Sequence, residues 1–182
     1  MRYEYLHYTS ELCDELDVHP ETRHSTEILV GACDIAGLGQ GWKPEAIVAA
    51  SLHIACRIND EPISLRDIDA HAEPDRKEIS TVARKVGDSI DVSLAPERPE
   101  IFVDEFIDRL NRLYDSNLGD DVQTTALDLM GETPVGTTPV TKAAAAIYVA
   151  ADREQKRVTQ GEISDVAHVS TTSIRNTAHL IK

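Results

Sequence analysis

Residues 44–57 read PEAIVAASLHIACR, and residues 139–152 read PVTKAAAAIYVAAD. Laid over each other without a gap, the two stretches stand ninety-five positions apart, and the match runs on beyond them. Ile63 falls on Val158, Ile68 on Ile163, Ala72 on Ala167 and Ile79 on Ile174. Self-similarity over such a length means one structural unit built twice. Each stretch opens on a proline, which the first turn of a helix accepts because its missing N–H has no partner there. Each is then apolar on nearly every side, as a helix buried at the centre of its unit must be.

Working outward, each half reads as five helices with the quoted stretch as the third, and no strand pair is expected. The first helix runs from about Tyr3 to Asp17, with Leu6, Leu12, Cys13 and Leu16 at helical spacing. The second has Pro20 in its first turn and His19 near its N-cap, carries Thr26, Leu29, Val30 and Cys33, and stops near Gly37. GLGQG at 37–41 reads as a loop, since glycine destabilises a helix. Ser64 caps the fourth helix with Asp67 three residues on, and Asp75 caps the fifth with Glu78 at the matching place. Residues 92–100, VSLAPERPE, form the linker. The second set spans about Ile101–Tyr114, Asp120–Met130 and Pro139–Asp152, followed by two short helices capped by Thr159 and Ser170. The expected fold class is all-α, with one repeat over 1–95 and another over 96–182.

Composition narrows the function. Only 4% of the 182 residues are aromatic, so the core is aliphatic, and the alanine runs imply closely packed helices. Net charge is −14, with 12 arginines against 6 lysines and the acids scattered along the chain. That pattern fits a solvated acidic surface or, more sharply, adaptation to high salt. In molar salt the Debye length falls to about 3 Å, which removes most of the repulsion between an acidic protein and nucleic acid. Cys13, Cys33 and Cys56 stand far apart on apolar faces, without CxxC or zinc-finger spacing, and read as buried thiols of a reducing cytoplasm. The N-terminal MRYEYLHYTSELCDEL is too charged for a signal peptide, and no apolar run approaches a membrane span. The seven histidines are dispersed, the acids form no spaced pair, and no phosphate-binding glycine loop follows a strand. His53 lies where the second copy has Tyr148 and reads as structural. Neither an enzyme, a metal site nor a cofactor is expected.

The chemistry gathers at the C-terminal end. Residues 159–182 read as a helix-turn-helix. The first helix packs through Ile163 and Val166, His168 and Val169 make the turn, and the second buries Ile174, Ala178 and Ile181. The opposite face carries Thr171, Thr172, Arg175, Asn176 and His179. Such a helix sets its first turns against base edges, where Arg reads guanine, Asn reads adenine and a Thr methyl meets a thymine methyl. Residues 153–182 hold five bases against three acids, so this stretch is positive on an acidic chain. Arg153, Lys156 and Arg157 fall in the turn before the helix-turn-helix, where phosphate contacts position a reader; His179 and Lys182 join them. In the first half, Arg76, Lys77, Arg84 and Lys85 on the helix over 75–86 form an analogous set, open to a backbone contact or to plain surface charge.

Five helices, duplicated, around an alanine-rich third helix describe a tandem cyclin-like fold. The stretch AAAAIYVAA with TQGEISDVAHVSTTSIRN, together with PEAIVAASLHIACR and DRKEIS in the first half, resembles the core of archaeal transcription factor B, counterpart of the eukaryotic initiation factor II-B. The resemblance covers nearly the whole chain. It implies binding to TATA-box-binding protein and promoter DNA, contact with RNA polymerase, a monomer in the cytoplasm at the nucleoid, and a halophilic archaeal source. It places base reading on Thr172, where the family often has Val, and on Arg175, for the element upstream of the TATA box. The first-half bases would then touch backbone downstream of that box. The family's N-terminal zinc ribbon is not expected here, which raises two rival roles: a regulator that occupies promoters without a ribbon, and a cyclin-like adaptor that binds proteins and no DNA.

Overall fold

The computed structural model describes residues 3–92, 94, 97–131 and 136–181. The chain divides into two compact units, Met1–Pro96 and Glu97–Lys182. The first holds α1 (Tyr3–Glu15), α2 (Pro20–Ile35), α3 (Pro44–Ile58), α4 (Leu65–His71) and α5 (Arg76–Ile90). The second holds α6 (Ile101–Tyr114), α7 (Asp120–Met130), α8 (Pro139–Arg153), α9 (Gln160–Ala167) and α10 (Thr171–Ala178). No strand occurs among the described residues, and the fold is a pair of five-helix cyclin-like repeats. Parts of the expected linker (93, 95 and 96) and of the turn before α8 (132–135) lie outside the described residues.

In each unit the third helix is the axis. α3 packs against α1, α2, α4 and α5, and α8 against α6, α7, α9 and α10. Ala143, Ala144, Ala145, Ala146, Ala150 and Ala151 are wholly buried on α8, and their missing side-chain bulk lets neighbours approach from several sides. Ala46, Ala49, Ala50 and Ala55 fill the same role on α3, while Ile47, Leu52 and Ile54 on α3 and Ile147 on α8 supply buried bulk. The stack of Phe102 on Phe106, with ring centroids 5.7 Å apart, closes the second core. Trp42, the single tryptophan of the chain, packs half-buried against the first core.

Local signals hold the helix ends. The Ser64–Asp67 and Thr159–Glu162 pairs form capping boxes at equivalent places on α4 and α9. Asp75 and Ser170 accept from the third backbone N–H of α5 and α10. His19 caps α2 through Nδ1, which accepts from the Glu21 N–H at 3.4 Å. Among the described residues, six helices exit on a left-handed residue that is not glycine: Asp17 after α1, Asp60 after α3, Asp91 after α5, Asp115 after α6, Gln155 after α8 and His168 after α9.

Some expectations need correction. On α1 the inward residue is Tyr5, fully buried, whereas Leu6 is 48% exposed. The GLGQG loop contains a short 3-10 turn, Leu38–Gln40, after Gly37 takes φ +73°. The correspondence of α2 with α7 runs at one hundred positions, placing Thr22 on Val122, Thr26 on Ala126, Leu29 on Leu129 and Val30 on Met130, all buried. The ungapped register of ninety-five therefore begins only at the central helix. The three cysteines are buried free thiols, and burial pushes Cys13 up to about 11. His53 is partly buried on α3, and desolvation, helped by the nearby charge of Arg57, pulls its imidazole down to about 4.

Candidate nucleic-acid interface

The helix-turn-helix forms as a capped pair. The Thr159 N–H donates to Glu162 Oε2 at 2.6 Å and the Glu162 N–H to Thr159 Oγ1 at 3.2 Å, which starts α9. His168 ends it in the left-handed conformation at φ 50°. Val169, 1% exposed, pins the turn to the core, and Ser170 Oγ accepts from the Ser173 N–H at 3.1 Å to start α10. These devices supply partners for helix-end groups that would otherwise have none.

α10 is anchored by Ile174, Thr177 and, just beyond it, Ile181, all buried. Thr177 takes part of the role expected of Ala178, which is only half-buried. The structure brings Thr171, Thr172, Arg175, Asn176 and His179 together on one exposed stripe. The first turn of α10 has no acidic residue. The positive end of its helix dipole is therefore not offset by a carboxylate of its own first turn.

The bases before the helix-turn-helix are arranged less uniformly. Arg153 is the last residue of α8, not part of the turn, and is exposed, as is Arg157. Lys156 is half-buried, and its Nζ lies 3.9 Å from Asp121 Oδ2 on α7. Its charge is shared with the protein's own carboxylate before any ligand arrives. Lys182 lies outside the described residues. In the first unit Arg76, Lys77, Arg84 and Lys85 are all exposed on α5. Arg76 and Lys77 edge a recess that also contains Asp69 and Asp75, so the charge there is mixed.

Two features were not read from the sequence. Arg66 on α4 adds a cation beside Arg76; burial, and then the charge of Arg76, lower it from the usual arginine value. On α6, Arg109 donates from Nη1 to the Val166 carbonyl at 3.2 Å, and the Tyr114 hydroxyl bonds the Asp165 carboxylate. Both bridges join residues more than fifty apart in sequence, where periodicity carries no signal. Among the described residues no group of three or more His, Cys, Asp or Glu is placed to hold a metal ion. Among the same residues no helix is long and apolar enough to cross a membrane.

Two copies of a five-helix unit, the second ending in a short helix with an exposed polar face, define a duplicated all-helical protein of the cyclin-like class. The family model for the transcription factor TFIIB repeat matches residues 6–83 and again 97–182. The chain belongs to the TFIIB repeat family. It is 32% identical over 170 residues to the transcription initiation factor IIB of Methanococcus maripaludis (strain C7), covering 91% of this chain and 48% of that protein. It is 34% identical over 146 residues to transcription initiation factor IIB 4 of the halophile Halobacterium salinarum, covering 78% of this chain and 43% of that protein. With the factor IIB of Caldivirga maquilingensis it shares 32% over 146 residues, covering 78% and 42%. The chain thus spans about half the length of the curated relatives it matches.

Proposed function

We propose that this chain is the promoter-binding core of a transcription initiation factor. It holds TATA-box-binding protein on DNA and reads the element upstream of the TATA box through α10. One observation carries the reading: Thr171, Thr172, Arg175 and Asn176 share the exposed face of a short, capped helix whose other face is buried. In a major groove Arg175 would donate two hydrogen bonds to guanine and Asn176 would pair with adenine. The threonine methyls would pack on thymine. Arg153, Arg157 and His179 would meet phosphates and fix the register. Arg76, Lys77, Arg84 and Lys85 of the first repeat would touch backbone on the downstream side. RNA polymerase is the further partner of this reading.

The mechanism is binding, without chemistry on substrate or cofactor, by a monomer working at the nucleoid. The polar stripe on α10 supports DNA over a protein partner, since protein-binding faces centre on aromatics and methionine. Acidity does not oppose this reading in a salt-rich cell, where screening confines repulsion to about 3 Å.

A mobility shift at high salt with TATA-box-binding protein on promoter duplexes tests it. The protein should retard the complex, and Arg175→Ala should weaken binding by about 1–3 kcal/mol while relaxing preference at one base pair. Equal binding of parent and variant to every duplex would refute base reading by Arg175.

A further inference from the structure

We infer that Arg109 is a positioning residue for the reading helix, latching the end of α9 to α6 and so fixing the angle at which α10 is presented. The inference rests on the promoter-binding reading above. Arg109 Nε donates to Glu105 Oε1 one turn back on α6, which holds the guanidinium in place. Its Nη1 then donates to the Val166 carbonyl at 3.2 Å. Val166 lies in the last turn of α9, where carbonyls lack intrahelical partners and carry the negative end of the helix dipole. One turn further along α6, Tyr114 bonds Asp165. Two adjacent residues of α9 are thus tied to one neighbouring helix. The left-handed His168 follows at once, and the Ser170 cap of α10 two residues later. Any tilt of α9 would therefore pass directly into α10.

The first repeat shows the same seam without the latch. Val166 corresponds there to His71, whose ring nitrogen bonds the Asp67 carbonyl of its own helix at 2.9 Å. α6 packs against α9, whereas α1 makes no comparable contact with α4. A cavity of about 190 Å3 lies between them instead, lined by Tyr8, Glu11, Glu15, Glu45, His71 and Glu73 among others, with no lysine or arginine. One fold, built twice, is clamped by an arginine only in the copy that carries the polar reading face.

The test compares the parent chain, Arg109→Met and Arg112→Met. The last removes the same charge from an exposed site on α6. Amide exchange is followed without DNA, and affinity is measured with TATA-box-binding protein on a promoter duplex and on one with the upstream element scrambled. We expect Arg109→Met to speed exchange in α9 and α10 while α7 and α8 keep their protection. Its preference for the intact element should fall about 5- to 10-fold, the worth of one ordinary hydrogen bond. Arg112→Met should match the parent in both. Unchanged exchange, or faster exchange with an unchanged preference, overturns the positioning role. A parent that shows no preference between duplexes overturns the reading beneath it, and that appears in the parent's own titration. Should Arg109→Met fail to fold, Arg109→Lys keeps the charge but loses the fork that serves Glu105 and Val166 together, and the same two readouts decide.

Discussion

Glu61 and Lys156 occupy equivalent positions in the two repeats and do one job with opposite charge. Each follows a left-handed residue, Asp60 or Gln155, and each donates its N–H at 2.8 Å to the carbonyl five residues back, Cys56 or Ala151. Each side chain then reaches the start of its unit's second helix. The Glu61 carboxylate accepts from the His19 N–H at 3.2 Å and the Thr22 hydroxyl at 2.8 Å. The Lys156 ammonium faces Asp121 at 3.9 Å. Glu61→Ala strands two donors and should cost about 1–2 kcal/mol in denaturant unfolding. Lys156→Ala removes a part-exposed ion pair and should cost under about 1 kcal/mol. Equal losses would mean that the two contacts are not the clamps they resemble.

The same pair yields a binding prediction. Asp121→Asn releases Lys156 for phosphate, so promoter affinity should rise, while Arg157→Ala should lower it and reduce the salt slope by about 1. A titration over several salt concentrations measures both.

Ile79 and Ile174 are matched core residues, each fully buried. Truncation of either to Ala should cost about 2–4 kcal/mol through lost burial and a cavity. Only Ile174→Ala should also relax preference for the upstream element, because only it loosens α10. Unfolding curves and the duplex comparison separate the two effects.

Ser170→Ala removes the cap of an eight-residue helix and should cost about 1 kcal/mol, felt as fraying of α10. Ser170→Asp keeps the cap and should retain stability. Exchange of the Ser173 amide reports both directly.

His53 predicts a pH dependence. Its folded value near 4 lies below the ordinary 6.5, so between those values the unfolded chain binds the additional proton. Its contribution to stability is complete above about pH 6.5 and declines as pH falls toward 4, by about 3 kcal/mol in all. His53→Gln, which cannot ionise, should flatten the curve in that window. A parent-like slope in the variant would assign the loss to other groups.

The parts of the fold that were legible are those written in local chemistry. Pro44 and Pro139, the Ser64–Asp67 and Thr159–Glu162 boxes and the alanine runs each specify an element within a few residues. The face of α10 was legible for the same reason, since its anchors and polar residues alternate within two turns. What was not legible is set between elements. Tyr5 and Leu6 are adjacent apolar residues, and only the packing of α1 on α3 decides which turns inward. The one-hundred-position register of α2 on α7 hides behind a length difference that an ungapped overlay cannot cross. Arg109 meets Val166, and Lys156 meets Asp121, only after the helices have docked.

Trp42 gives the architecture a spectroscopic consequence. The single indole packs on the first core, so intrinsic tryptophan emission reports that unit. Far-ultraviolet dichroism weighs the helices of both. The separation between the two melting curves is therefore a direct gauge of whether the repeats unfold as one cooperative body or as two, measurable without a label or a second protein.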